Sequence, residues 1–98
     1  MKCYDWNDEK NGLLKKKRGV FFEEVILAVE QSRLLAILEH PNQQKYPLQQ
    51  IYIVEINDYA FIVPFVETED GVFLKTIIPN RKMSKLYLTG DNNDKNEA

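Results

Sequence analysis

Two runs of β-branched and aromatic residues, Gln49 to Ile56 and Tyr59 to Val66, are separated only by Asn57 and Asp58. Such residues pack well on a pleated surface, and a two-residue break of types that tolerate positive φ specifies an antiparallel hairpin. A further run, Val72 to Ile78, follows across Thr68 to Gly71 and predicts a second tight connection. Leu34 to Leu38 reads as a strand as well, joined to the hairpin by one long loop, Glu39 to Leu48, which holds Pro41 and Pro47. Four strands in a mainly antiparallel sheet are therefore expected.

Alternation places Tyr59, Phe61, Val63 and Phe65 on one face of the third strand and Ala60, Ile62 and Val66 on the other. Neither face is conventionally polar, so one should cover helices while the other is only partly exposed. Pro64 cannot donate to a ladder, which calls for either a bulge or an unpaired edge there.

The helices that the sheet needs are written before and after it. Asp8 to about Lys17 consists of good helix formers, with Asn7 or Asp8 available as N-cap and Gly19 suited to the stop. From about residue 21 to 32, Phe22, Val25, Ile26 and Val29 recur at i, i+3, i+4 and i+7, an apolar stripe with Glu23, Glu24 and Glu30 elsewhere. Asn80 can cap a last helix from Arg81 to about Leu88, with Arg81 and Lys85 on one face. The expected fold is α+β in the order ααββββα, two N-terminal helices packed on the sheet and a short C-terminal helix. A chain of 98 residues, 44% hydrophobic, supports one such domain, residues 1 to 88. Thr89 to Ala98 has no hydrophobic residue except its last alanine and is expected to be disordered.

Thirteen basic and fifteen acidic residues give a formal charge of −2, which excludes an overall basic nucleic-acid binder. The imbalance lies in the tail, where Asp91, Asp94 and Glu97 face only Lys95. The body is neutral, with positive residues gathered at Lys15, Lys16, Lys17 and Arg18 and again at Arg81, Lys82 and Lys85. Two local patches can attract a polyanion without an overall basic charge. A single cysteine, Cys3, excludes an internal disulfide and suits a reducing cytoplasm. The most apolar stretch, Phe61 to Val66, is far too short to span a membrane, so a cytoplasmic protein is expected.

Tyr4 to Glu24 reads YDWNDEKNGLLKKKRGVFFEE, and Leu74 to Tyr87 reads LKTIIPNRKMSKLY. The first resembles the opening signature of BrnT-type ribonuclease toxins, matching at Trp6, Lys10, Asn11, Leu14, Lys17, Gly19, Val20, Phe22, Glu23 and Glu24. The second is similar to that family's last strand and the arginine-bearing start of its final helix. Arg18 stands where the family pattern has histidine, which removes a potential proton-transfer group. The resemblance implies a compact RelE-like fold and metal-free endoribonuclease activity without a cofactor. It also implies the role of toxin in a type II toxin–antitoxin pair, neutralised by a cognate, DNA-binding antitoxin, as a homodimer or in a 2:2 complex. An exposed sheet edge, or apolar surface around Phe65 and Phe73, is the expected place for that partner.

Metal-free RNA cleavage needs a group to take the 2′-hydroxyl proton, cations on the phosphorane, and a donor for the leaving 5′-oxygen. Arg81 is the first choice for the phosphate, because guanidinium offers paired donors at a helix start; the competing reading is a solvated arginine. Lys85 beside it, Lys17 and Arg18 at the end of the first helix, and Tyr87 complete the catalytic candidates. Lys16, Lys75 and Lys82 are the substrate-binding candidates. Cations at a helix C-terminus also stabilise the helix itself, and an aromatic residue in a terminal helix commonly packs on the sheet. His40, in the long loop before Pro41, reads as a loop residue first and a catalyst second. Glu23 and Glu24 sit where a helix start favours carboxylates, and Trp6 is expected to bury against the sheet. No Cys/His cluster suggests zinc and no Gly-rich loop suggests a nucleotide. The leading expectation is an RNA-cleaving toxin, and the alternative is a non-catalytic protein-binding or RNA-binding module that keeps the toxin fold.

Overall fold

The computed structural model describes residues 3–88. The disorder expected of residues 89–98 lies outside the described residues. The elements run β1 (Cys3–Asp5), α1 (Asp8–Arg18), α2 (Phe22–Glu30), β2 (Leu34–Glu39), β3 (Gln49–Ile56), β4 (Tyr59–Thr68), β5 (Gly71–Leu74), β6 (Ile78–Pro79) and α3 (Arg81–Tyr87). The class is α+β, as the patterning predicts, but the sheet is mixed and six-stranded rather than four-stranded and mainly antiparallel. Its order is β1-β5-β4-β3-β2, with β6 paired to β4 beyond the end of β5.

Two departures account for the difference. β1 is a three-residue strand lying parallel to β5, from Cys3 opposite Gly71 to Asp5 opposite Phe73. Three residues are too few to show an alternating pattern. The other departure is the run Val72 to Ile78, which is broken in two, and Pro64 explains where. Pro64 faces Ile51 in an unbroken register with β3, so no bulge forms. On its other side Phe65 pairs with Leu74 and Ile62 with Ile78, while the Pro64 carbonyl accepts from the Lys75 N–H at 2.8 Å. In an antiparallel ladder the nitrogen and carbonyl of one residue point to the same neighbour. The missing donor therefore faces the gap between β5 and β6, in the interior of the sheet rather than at an edge or bulge.

The tight hairpin forms as expected: Asn57 and Asp58 both take positive φ, 54° and 63°, the conformation of a type I′ turn. Gly71, at φ 146°, lies so close to β1 that an added Cβ would run into the Cys3 carbonyl oxygen. The parallel strand thus requires glycine at that point.

The two faces of the sheet bury separate clusters. Tyr52, Val54, Phe61, Val63, Phe65, Val72 and Leu74 pack with Leu14 of α1 and Phe22, Val25 and Ala28 of α2. Trp6 is half-buried and stacks on Phe22, with 5.7 Å between ring centroids, so it meets a helix as well as the core. On the opposite face Ile51, Ile53 and Ala60 are covered by Met83 and Leu88 at α3 and by Leu35, Ala36 and Ile62. α3 is fixed there by polar bonds. Asn80 Oδ1 accepts from the Met83 N–H at 2.8 Å, and Ser84 Oγ accepts from the Ala60 N–H at 2.8 Å while donating to the Asn80 carbonyl. Phe65 is 2% exposed and stacked on Tyr52, which removes it from the apolar surface expected to receive a partner.

Candidate functional site

The stretch Tyr4 to Glu24 divides by what its side chains touch. Asn7 Oδ1 accepts from the Lys10 N–H at 2.9 Å and starts α1, which settles the cap on Asn7 rather than Asp8. Gly19 stops the helix in the left-handed conformation at φ 70°, its N–H returning to the Lys15 carbonyl. Asn11 spans the two helices: its Oδ1 accepts from the Phe22 N–H at 2.8 Å and its Nδ2 donates to Glu23 at 2.9 Å. That satisfies one of the free donors at the start of α2. Glu24 Oε1 accepts from the Phe21 N–H at 3.2 Å and closes the same turn. Leu14, Val20 and Phe22 are buried. These residues make the fold.

Three of the remaining cations, Lys10, Lys17 and Arg18, face a single cleft. Lys10, Leu13, Leu14, Lys17 and Arg18 recur at i, i+3, i+4, i+7 and i+8, one face of α1. Opposite them stand Thr76 and Ile78, from the gap left by Pro64 and from β6, and together they line a cavity of about 370 Å³. Arg18 holds the two walls together, its Nη1 donating to the Ile77 carbonyl at 2.7 Å. Arg18 is therefore a clasp between α1 and the β5–β6 segment. Two of the lining residues are exposed apolar groups, Leu13 at 53% and Ile78 at 40%. The others include three cations and one hydroxyl, with no carboxylate or imidazole among them.

The other predicted site residues lie elsewhere. Arg81, Lys82 and Lys85 line a separate surface depression that shares no residue with the cleft. α3 covers the sheet face opposite to the one that packs on α1 and α2. The expected convergence of the ends of the first and last helices on one phosphate is not formed; Lys17 and Arg18 come together with Lys10 instead. Lys16 is exposed on α1 outside the cleft. Lys75 is exposed, with Nζ 5.7 Å from the centroid of the Phe73 ring. Tyr87 is 37% exposed rather than packed away on the sheet. His40 belongs to the β2–β3 loop, where its ring lies 4.4 Å from that of Tyr46 and Nδ1 accepts from the Asn42 N–H.

Sequence reasoning passed over Lys10 and Thr76 as site residues. Lys10 was legible, because it precedes Lys17 by two helical turns. Thr76 was not, because only the break between β5 and β6 brings it to α1. Tyr52 does not line the cleft; burial, then Tyr4, pushes its phenol well above the ordinary range. Among the described residues no group of His, Cys, Asp or Glu side chains is arranged to hold a metal ion, and no helix is long and apolar enough to cross a membrane. Comparison of the chain with protein-family models, curated proteins and solved structures gives no match.

Proposed function

We propose that this protein is an RNA-cleaving toxin of the BrnT-like type, that it binds the RNA phosphate in the cleft between α1 and β6, and that a cognate antitoxin neutralises it. The observation that carries the reading is the division within Tyr4 to Glu24: the buried and capping residues build the helix pair, and Lys10, Lys17 and Arg18 line one cavity. Three cations around a cleft of this size suit a phosphodiester whose charge grows as the 2′-oxygen attacks phosphorus and the 5′-oxygen leaves. An ammonium at Lys10 or Lys17 supplies the proton for that leaving oxygen, and solvent water takes the proton that the 2′-hydroxyl loses as it attacks. Arg18 acts chiefly by fixing the walls, since one arm of its guanidinium is engaged by the Ile77 carbonyl.

One observation favours a second reading. The lining residues include no carboxylate or imidazole to accept the 2′-hydroxyl proton, which suits a module that binds RNA without cutting it. RNA binding and cleavage measured together separate the two. The toxin reading expects purified protein to cleave RNA, and Lys17→Ala to lower cleavage at least about tenfold, the scale of one lost charge-assisted contact. Tight binding with intact RNA would establish the module instead, and loss of neither property in Lys17→Ala would remove the cleft from both.

A further inference from the structure

We infer that the cleft holds one unpaired nucleobase of the bound strand, with Leu13 and Ile78 against its face and the Thr76 hydroxyl at its edge; this rests on the reading of the cleft as the RNA site. A phosphate accounts for only part of the lining. Lys10, Lys17 and Arg18 suit a phosphodiester, but Leu13 and Ile78 offer it nothing, although both are exposed and both line the same cavity. Single exposed apolar side chains are ordinary on a protein surface. Two that come from different elements, α1 and β6, and line one cavity together make a place for an apolar ligand group. In RNA that group is the flat face of a base, which becomes accessible only when the base leaves its stack.

Spacing along α1 brings base and phosphate to the same place. Lys10 and Lys17 are seven residues apart, about 10.5 Å along the helix axis, and Leu13 stands between them on the same face. Each internal nucleotide of a strand has a phosphate on either side of its sugar. Two flexible lysine side chains that take these two phosphates leave the base between them over Leu13. Thr76 faces α1 from the segment between β5 and β6, and its hydroxyl can donate or accept, so it meets an edge of any of the four bases. A cavity of about 370 Å³ is near the lower end of the range for ligand sites and suits one nucleotide. In an A-form duplex the bases stay stacked, and the deep, narrow major groove excludes side chains such as these. The site therefore requires a base, accepts more than one kind, and selects single strands over duplex.

The test uses the full chain and three fluorescent probes built on a 2′-O-methylribose backbone, which lacks the attacking hydroxyl and so is not cut. One is a ten-nucleotide single strand of mixed sequence, the second is that strand annealed to its complement, and the third is a base-free strand with the same number of phosphates. The single strand should bind at least about tenfold tighter than the base-free strand, the scale of one large apolar group removed from water, and tighter than the duplex. Leu13→Ser should weaken the single strand about tenfold and the base-free strand by less than about twofold. Thr76→Val, which keeps the branched shape without the hydroxyl, should weaken the single strand about threefold and spare the base-free strand, while Lys17→Ala should weaken all three probes. Leu13 is exposed, so its replacement leaves the core intact, and an unchanged thermal midpoint verifies this. Equal affinity for the single and base-free strands overturns the inference, as does a duplex that binds as tightly as the single strand. A Leu13→Ser variant that binds the single strand like wild type also overturns it, and leaves the aliphatic pair to a protein partner. Lys17→Ala reports on the underlying reading by itself: if it binds every probe like wild type while Leu13→Ser still loses the single strand, the phosphate site has failed and the base site stands. No binding of any probe overturns both.

Discussion

Asn11 shows how one polar side chain can make a motif. By accepting from the Phe22 N–H and donating to Glu23, it ties α1 to the first turn of α2 across twelve residues of chain. Replacing it by alanine leaves a helix-start donor without its partner, so Asn11→Ala should lower stability by about 1–2 kcal/mol, read from urea unfolding. A change within experimental error would mean that water replaces the contact at no cost. Asp58 makes the opposite case. It holds φ 63° with a side chain present, where glycine is the favoured residue of a type I′ turn. Asp58→Gly should therefore raise stability by roughly 0.5 kcal/mol, a gain set by the lower strain of glycine in this region. These residue-scale features were partly legible: the Asn57–Asp58 turn, the Asn7 and Asn80 caps and the Gly19 stop are written in local composition. The role of Asn11 was not, because its partners lie on another helix.

At the scale of elements, the sequence reads best where a periodic pattern is long. β3 has the expected bounds, and α1, α2 and α3 begin and end within two residues of theirs. It reads worst where a neighbour decides the outcome. β1 exists because Gly71 lets its backbone approach β5, and β5 stops because Pro64 offers no donor to its continuation. Gly71→Ala, which sets a methyl group against the Cys3 carbonyl, should detach β1 and lower stability by about 2 kcal/mol or more. Hydrogen exchange at residues 3–5 measures this, and unchanged protection there would show that β1 is not held by that approach. The same break carries Thr76 and Ile78 to α1. The cleft is thus a consequence of one proline on the neighbouring strand, a long-range effect that the choice of Arg81 for its guanidinium at a helix start does not contain.

For the whole molecule, two buried clusters on the two faces of one sheet hold three helices in place, and the cationic groups end up on different sides of that frame. Tyr52 lies inside the larger cluster, 3% exposed, and its phenol is raised above the ordinary value by burial and by Tyr4. A group with a raised native-state pKa favours the folded state fully below its unfolded value, near about 10, and loses that contribution as pH rises further. Stability should therefore be insensitive to Tyr52 at neutral pH and fall above about pH 10. Tyr52→Phe should flatten that alkaline decline, and a decline unchanged in the variant would assign it to other groups. The α+β class was legible from patterning. The distribution of charge over the two faces required the sheet order.

The central claim is that the basic cleft between α1 and β6, and not the patch on α3, is where RNA binds. Its most direct test is the salt dependence of RNA affinity in Lys17→Ala beside Arg81→Ala. The account predicts a loss of at least about tenfold and a slope lowered by about one in Lys17→Ala, with Arg81→Ala close to wild type. A loss confined to Arg81→Ala, with Lys17→Ala unchanged, would contradict it.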